Sequence, residues 1–200
     1  MKTLRILIAS ITILTLSLSL ARADEIGDQI EKGKSLYAQQ KFSQAVNELR
    51  FAVGQIMGKI AELYTQALPQ AVSGWEANEP ETQSAGMEFL GGGISVKRHF
   101  YKNEGASVDV GFVSDSPMLS SLMMMIGNPM FLGGNKLVTI KGEKCVEEWN
   151  ESEKSGKLDI VIENRIMVTI EGSGLANKDD LYSYANAVDL AKLKGILRDN

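Results

Sequence analysis

The stretch LDIVIENRIMVTI, residues 158–170, decides the fold, because two apolar runs of strand length flank three polar residues. The runs at residues 158–162 and 166–170 are rich in β-branched side chains, which favours strands over helices. Glu163-Asn164-Arg165 between them has the composition of a tight turn. The stretch therefore predicts an antiparallel β-hairpin.

Four more segments on the N-terminal side of this hairpin have the pattern of strands. Residues 108–112 alternate between apolar and polar side chains, and Asn103-Glu104-Gly105 before them is typical of a turn. The chain between strands is too short for repeated crossovers, so we expect a largely antiparallel sheet with helices over one face. The predicted strands are residues 94–101, 108–112, 137–141, 145–149, 158–162 and 166–170.

A helix is predicted at the C-terminal end of the chain. It begins near Asn177, where Asp180 three residues later completes a start that resembles a capping box, and it ends near Gly195. One side of this helix is apolar and is expected to cover the sheet. That side consists of Leu181, Tyr184, Ala185 and Val188.

Residues 24–68 have a helical period that breaks near Gln40-Lys41. Apolar residues recur three and four positions apart on both sides of the break, with the mean spacing of about 3.5 that is typical of coiled coils. The pattern predicts two helices packed as an antiparallel hairpin along one narrow apolar stripe. The stripe comprises Ile26, Ile30, Gly33, Tyr37, Val46, Leu49, Val53, Ile56, Ile60 and Leu63.

Small and large side chains within residues 26–59 also follow a recognisable spacing. The positions concerned are Gly33, Leu36, Phe42, Ala45, Leu49 and Ala52. This spacing resembles one unit of a tetratricopeptide repeat, which implies a helix-turn-helix. Family members bind peptides in a groove made by several stacked units. This chain lacks a second copy, a proline after Ala52 and a stop to the second helix, so the resemblance supports the hairpin more than peptide binding.

Gly54 and Gly58 lie four residues apart on the second predicted helix. Each glycine costs about 1 kcal/mol of helix stability relative to alanine, so a compensating contact is expected. Close approach of another helix or of the sheet within the chain is the first interpretation. A homodimer face at the same two glycines is the alternative.

Residues 69–93 are predicted to be a linker, which begins at Pro69 and ends in three glycines. Trp75 within it is expected to hold the segment against a core. The complete chain is thus predicted to be α+β. It has a helical hairpin at residues 24–68 and a domain at residues 94–200, in which about six strands are covered by two helices.

The first 23 residues have the pattern of a cleaved secretory signal. Lys2 and Arg5 precede an apolar run at residues 6–20, and Ala21-Arg22-Ala23 follows it. We expect cleavage after Ala23 and a periplasmic or secreted product. An uncleaved anchor is the alternative, but the run is shorter than the about 20 residues of a membrane span.

The charge balance excludes one class of partner. Removing residues 1–23 takes away Lys2, Arg5 and Arg22 but no acidic residue, so the formal net charge changes from −4 to −7. Nucleic acids require clustered basic side chains, so we expect no nucleic-acid binding. No later segment has the length of a membrane span, so no transmembrane segment is expected after signal removal.

Groups that could support catalysis are scarce. The chain has one histidine, His99, and one cysteine, Cys145, and it has no G-x-S-x-G motif. A His99–Cys145 pair would require neighbouring strands, and structural zinc needs four such ligands. We therefore expect no catalytic residue, no metal and no cofactor, and an acidic face exposed to solvent. The acidic residues there are Glu143, Glu147, Glu148, Glu151 and Glu153.

A short helix rich in methionine is the most unusual segment. Ser116 is the expected N-cap, Pro117 occupies the first turn, and Gly127-Asn128-Pro129 ends the helix. A helical wheel places Met118, Met125 and Leu122 on one face and Met124 on another. Core packing, a surface for an apolar ligand or partner, and Cu(I) binding by thioethers all remain open.

The sequence favours a non-enzymatic binding or adaptor protein that contacts a protein partner through the hairpin or the methionine-rich helix. The proposed contact residues are Met118, Leu122, Met124 and Met125, and Gly54 and Gly58 form a packing or homodimer face. A carrier of a small apolar ligand or of Cu(I) is the alternative, with Met118 and Met125 lining its cavity. An enzyme that uses carboxylates or His99 is the third.

Overall fold

The computed structural model describes residues 24–83, 93–102, 105–114 and 117–199. The predictions for the signal segment 1–23, for Gly91-Gly92, for Asn103-Glu104 and for Ser116 lie outside the described residues. The chain is α+β, as the sequence predicts. It forms two compact units, one ending at Val53 and the other beginning at Gly54, so the division falls within a helix.

The N-terminal helices are α1 (Glu25–Ala38) and α2 (Phe42–Thr65). The Asp24 carboxylate accepts a hydrogen bond from the Gly27 amide at 3.1 Å and caps α1. Gln40 lies in the connection with φ 62°, the left-handed conformation in which many helices end. The helix break is confirmed where the sequence places it.

The seam between α1 and the first half of α2 is formed by small side chains. Among the described residues of the first unit, only Gly33, Ala45 and Ala52 are fully buried. A Cβ on Gly33 would lie 2.7 Å from Leu49 Cγ, so glycine is required for this close approach. Gly33 and Leu49 of the predicted stripe meet at this seam, and Ile26 is half-buried, whereas the other large apolar members in this unit are between 38% and 66% exposed. The predicted stripe therefore packs the hairpin only in part.

Among the described residues, eight strands form one antiparallel sheet, which is two more strands than the sequence predicts. Both additional strands come from the predicted linker and pair with β3. From there the order is β3–β4–β8–β7–β6–β5, and the tight turn in residues 158–170 is confirmed. The strands are β1 (Glu76–Ala77), β2 (Glu81–Gln83), β3 (Ser95–Tyr101), β4 (Ser107–Ser114), β5 (Lys136–Ile140), β6 (Glu143–Asn150), β7 (Ser155–Ile162) and β8 (Ile166–Ser173).

The C-terminal segment forms two helices, α4 (Asp179–Ala187) and α5 (Leu190–Asp199), so the prediction of a single helix is wrong. Val188 is extended, and the Asp189 carboxylate accepts a hydrogen bond from the Lys192 amide at 2.9 Å. Asp189 therefore caps α5 and competes with a continuous helix. The apolar side of α4 is buried on the sheet, as predicted.

The main core lies between one face of the sheet and the helices α4 and α5, together with the last turns of α2. Three aromatic side chains meet there. The Tyr184 ring lies 4.4 Å from the Phe100 ring and 5.4 Å from the Trp75 ring, measured between centroids. Trp75 is buried, so its predicted role in holding the preceding segment against a core is confirmed.

The opposite face of the sheet carries a smaller apolar cluster. Helix α3 (Met118–Gly127), followed by the 3₁₀ turn Pro129–Leu132, packs on Val146, Val161 and Met167. Helices therefore cover both faces, and the expectation of helices over one face is wrong. Residues 160–162 and 166–168 are apolar at every position, a pattern that indicates burial on both sides.

Among the described residues, no helix combines the length and the apolar character needed to cross a membrane.

Two glycines opposite each other allow α4 to approach the sheet. Gly156 of β7 pairs with Gly172 of β8, and both lie beneath Leu181. A Cβ on Gly172 would lie 2.6 Å from Leu175 Cδ1 and 2.9 Å from Leu181 Cδ2. Any larger residue would push these leucines out of the core.

We expect Gly172→Ala to lower the free energy of unfolding by about 1–3 kcal/mol, because the added methyl group overpacks the contact with α4. Gly195→Ala is the matched control, since a Cβ there would meet no described heavy atom within 4 Å. That change should raise the free energy by about 0.5–1 kcal/mol through helix propensity. Urea unfolding of both variants measures the difference, and equal stability of Gly172→Ala and wild type would contradict the packing role.

Candidate functional site

The covering layer of α3, the 3₁₀ turn and β5 presents a group of exposed apolar side chains. The 3₁₀ turn contacts both α3 and β5, so these segments lie together. Met130 is 88% exposed, and the other members are between two-fifths and two-thirds exposed. We call this group the methionine surface. Its members are Met118, Met124, Met130, Phe131 and Leu137.

The four predicted contact residues of α3 divide between the interior and the surface. Leu122 is buried and Met125 is half-buried, and both pack in the smaller apolar cluster that contains Val146. Met118 and Met124 are exposed. The wheel correctly places Met124 away from Leu122, but Met118 lies in the first turn and is 61% exposed. Met130, Phe131 and Leu137 were missed, because sequence patterns do not reveal which apolar residues stay exposed.

A groove of about 510 Å³ runs beside α3. Met123, Ile126 and Val161 form its apolar part, and the turns that follow β5 and β7 supply its polar part. Met118 and Met125, which the carrier hypothesis places in the cavity, are not among its lining residues. That part of the carrier hypothesis stays a prediction, and the volume of this groove lies within the range of ligand pockets.

Gly54 and Gly58 have no close neighbour. A Cβ at either position would meet no described heavy atom within 4 Å, so the described part of the chain supplies no compensating contact. The homodimer face at these glycines stays a prediction.

His99 belongs to a polar cluster on the face of the sheet opposite the main core. Its Nδ1 lies 2.9 Å from Asp109 Oδ1, and Lys97 Nζ lies 3.1 Å from Asp109 Oδ2. The His99 ring stacks on Tyr101 at 6.0 Å. The Asp109 carboxylate thus contacts both His99 and Lys97. It orients the His99 ring on an open surface of the strand.

The same face contains a polar groove of about 320 Å³. Its walls come from β4, β6, β7, β8 and the loop after β6. Asn150 Oδ1 orders that loop by accepting hydrogen bonds from the Ser152 hydroxyl and amide and from the Glu153 amide. Among the described residues, no group of three or more His, Cys, Asp or Glu side chains is arranged to hold a metal ion.

Cys145 and His99 are far apart in the sheet. Strands β4, β8 and β7 separate their strands, and Cys145 points into the main core, away from the face that carries His99. The possible His99–Cys145 pair is therefore contradicted. Burial, with smaller effects from the Asp159 and Glu147 charges, raises the pKa of the Cys145 thiol to about 12.

We expect the Cys145 thiol to be inert in the folded protein, because the thiolate is the reactive form and burial blocks access. A disulfide reagent at about pH 8 should modify no thiol in native protein and one thiol per chain after unfolding in urea. The unfolded sample is the internal control. Rapid modification without urea would show that the thiol is accessible and would contradict this assignment.

Glu147 is a buried carboxylate with partners on α4 and at the start of that helix. It lies 3.0 Å from Lys178 Nζ and accepts a hydrogen bond from the Tyr182 hydroxyl. Burial alone would raise the pKa of the Glu147 carboxyl, but the hydrogen bonds from Tyr182 and Lys178 outweigh burial and lower it. The Glu147 carboxylate therefore connects β6 to α4. The prediction that Glu147 is part of an acidic face exposed to solvent is wrong.

Because the pKa of Glu147 is lower in the folded than in the unfolded chain, its charge stabilises the fold above the unfolded value of 4.5. This contribution is lost as the pH falls through the folded-state pKa. We expect Glu147→Gln to lower the free energy of unfolding near pH 7 by about 1.5–3 kcal/mol and to weaken its decline in acid. Urea unfolding from about pH 7 to about pH 3 measures both effects.

Glu148→Gln is the control for this substitution, because Glu148 is the next residue and is exposed on the other face. Its free energy of unfolding should stay within about 0.5 kcal/mol of wild type. Equal losses for the two variants would contradict a specific role for Glu147.

No protein-family model, curated protein or solved structure matches this chain. The resemblance of residues 26–59 to a tetratricopeptide repeat stays a prediction, although the helical hairpin itself is present. Function is therefore inferred from the geometry of the described side chains.

Proposed function

We propose that this chain is a non-enzymatic binding protein of an export compartment, which contacts an apolar surface of a protein partner through the methionine surface. The observation that carries the proposal is the exposure of its five large apolar side chains within twenty residues of chain. Between 41% and 88% of each of these residues is exposed. The largest apolar patch on the surface of a monomer is often functional.

The chemistry of methionine supports a protein partner. Its flexible and polarisable side chain adapts to different apolar surfaces, and it is common where a binding surface repacks around a partner. Leu137 adds an apolar side chain on β5, the last strand in the sheet order. An apolar peptide segment lying across α3 and β5 would contact all three elements that form the methionine surface.

The positions of the groups that could support catalysis also support a binding protein. Cys145 is buried in the core, and Glu147 is held by Lys178 and Tyr182. His99 is oriented by Asp109, but it lies on an open strand surface. These positions favour binding over catalysis.

The export compartment follows from the sequence of residues 1–23, which has the three parts of a secretory signal.

The test is photocrosslinking in cells that export the chain, with a photoreactive side chain placed at Met124 or Met130. We expect one discrete protein adduct at each position, because both lie on the methionine surface. Glu171, which is exposed on the polar face, is the matched control and should give none. Once the adduct is identified, Met118→Ser with Phe131→Ser should weaken its binding about tenfold or more, since truncated apolar contacts lower affinity.

Other outcomes would contradict the proposal. Equal adducts at Met124 and Glu171 would show random collision, and no adduct at either methionine would leave the surface without a partner. A carrier is favoured instead if the purified protein gains the mass of copper when Cu(I) is added alone. An apolar fluorescent probe that binds wild type, but not a variant with Met123→Lys in the groove, would favour a carrier of apolar ligands.

A further inference from the structure

The first unit has an apolar side that its described residues leave partly exposed. Six large apolar side chains of α1 and α2 are between 38% and 66% exposed. We call them the hairpin face. Its members are Ile30, Tyr37, Phe42, Val46, Leu49 and Val53.

These side chains lie on one side of the hairpin. At about 100° per residue, the four members on α2 fall within about 60° of each other, and the two members on α1 fall within about 20°. The Tyr37 and Phe42 rings meet at 5.7 Å between centroids, which joins the two sets across the connection. The hairpin face is therefore continuous from one helix to the other.

The other side of the seam is polar and internally paired. Lys32 Nζ lies 2.7 Å from Glu48 Oε1, and Gln29 also donates a hydrogen bond to the Glu48 carboxylate. The hairpin is thus amphipathic, with the hairpin face on one side of the seam and the polar pairs on the other. The polar side is satisfied by its own pairs, and most of the exposed large apolar side chains in the described part of the first unit lie on the hairpin face, with Phe51 outside it.

Few residues are fully buried at the seam. Its fully buried residues are one glycine and two alanines, Gly33, Ala45 and Ala52. Helical hairpins gain stability from packing an apolar face and not from helix propensity. Two hairpins that bring such faces together form a four-helix bundle, in which every apolar stripe is covered.

We propose that the hairpin face is a homodimer interface, in which two copies of the chain pack as a four-helix bundle. The exposed fractions of these six residues correspond to about 600 Å² per copy, so two copies would bury at most about 1,200 Å² through these side chains, the lower end of the range of specific protein–protein interfaces. A two-fold axis satisfies both copies with the same surface, because a dimer of this kind uses identical patches.

The test is the mass of the chain from Asp24 to Asn200, the product expected after signal cleavage, measured by light scattering and native mass spectrometry over a range of concentrations. We expect twice the chain mass at about 10–100 μM and a melting temperature that rises with concentration, as linkage requires for a dimer. Val46→Lys with Val53→Lys should raise the dissociation constant of the dimer at least about 100-fold, because two charges would be buried in each copy.

Phe51→Lys is the matched control. Phe51 is 56% exposed on the same helix, but it lies about 180° from Phe42 and outside the hairpin face. Its dimer dissociation constant should stay within about threefold of wild type. All substituted positions are exposed and lysine favours helices, so circular dichroism should show unchanged helix content in both variants.

A monomer at every concentration would overturn the proposal, and it would assign the face to residues 1–23 or to a different protein. A dimer that survives Val46→Lys with Val53→Lys, or that Phe51→Lys disrupts equally, would overturn it as well. Photocrosslinking at Met124 reports on the second unit, so a failed dimer test and a failed methionine surface are distinguishable.

Discussion

Burial on both faces of the ends of β7 and β8 that flank their tight turn is the constraint on which the second unit depends. Antiparallel sheets often leave one face in water, but these strand ends carry apolar side chains in both directions. On one side α4 and α5 cover Ile160 and Val168, and on the other α3 covers Val161 and Met167. The positions of all three helices follow from that requirement.

The helices cover one face of the sheet more completely than the other. This difference explains why the binding function is proposed for the side of α3. The main core is closed by the Tyr184, Phe100 and Trp75 rings and by the fit of Leu181 over two glycines. Helix α3 has ten residues, and it covers only one end of the sheet face on which it packs. A short apolar helix buries one side and leaves the other in solvent, so the methionine surface is a consequence of covering a small cluster with an apolar segment.

In the first unit, small side chains form the contact between the helices and large apolar side chains are left exposed. Its seam is narrow because Gly33, Ala45 and Ala52 bring the backbones together. Close approach of two helices displaces the large side chains sideways, and polar pairing on one side leaves the apolar ones on the other. The same small residues that define the hairpin thus create the hairpin face.

Much of the fold was readable from the sequence because it is local. The tight turn between residues 162 and 166, the alternation in residues 108–112 and the helix break near Gln40 each depend on neighbours in the chain. The apolar side of α4 and the burial of Trp75 were readable for the same reason. The break at Asp189 was missed, since a capping carboxylate within an apolar period is a weak local signal.

Only the tertiary structure decided the rest, because it depends on which distant segments meet. The strand order separates His99 from Cys145, and the positions of Lys178 and Tyr182 make Glu147 a buried carboxylate with two partners instead of a solvated acid. The sequence by itself determined the type of most of the longer elements, the tight turn at residues 163–165 and the charge. Exposure of the methionine surface and of the hairpin face is a property of packing, which no single period in the chain encodes.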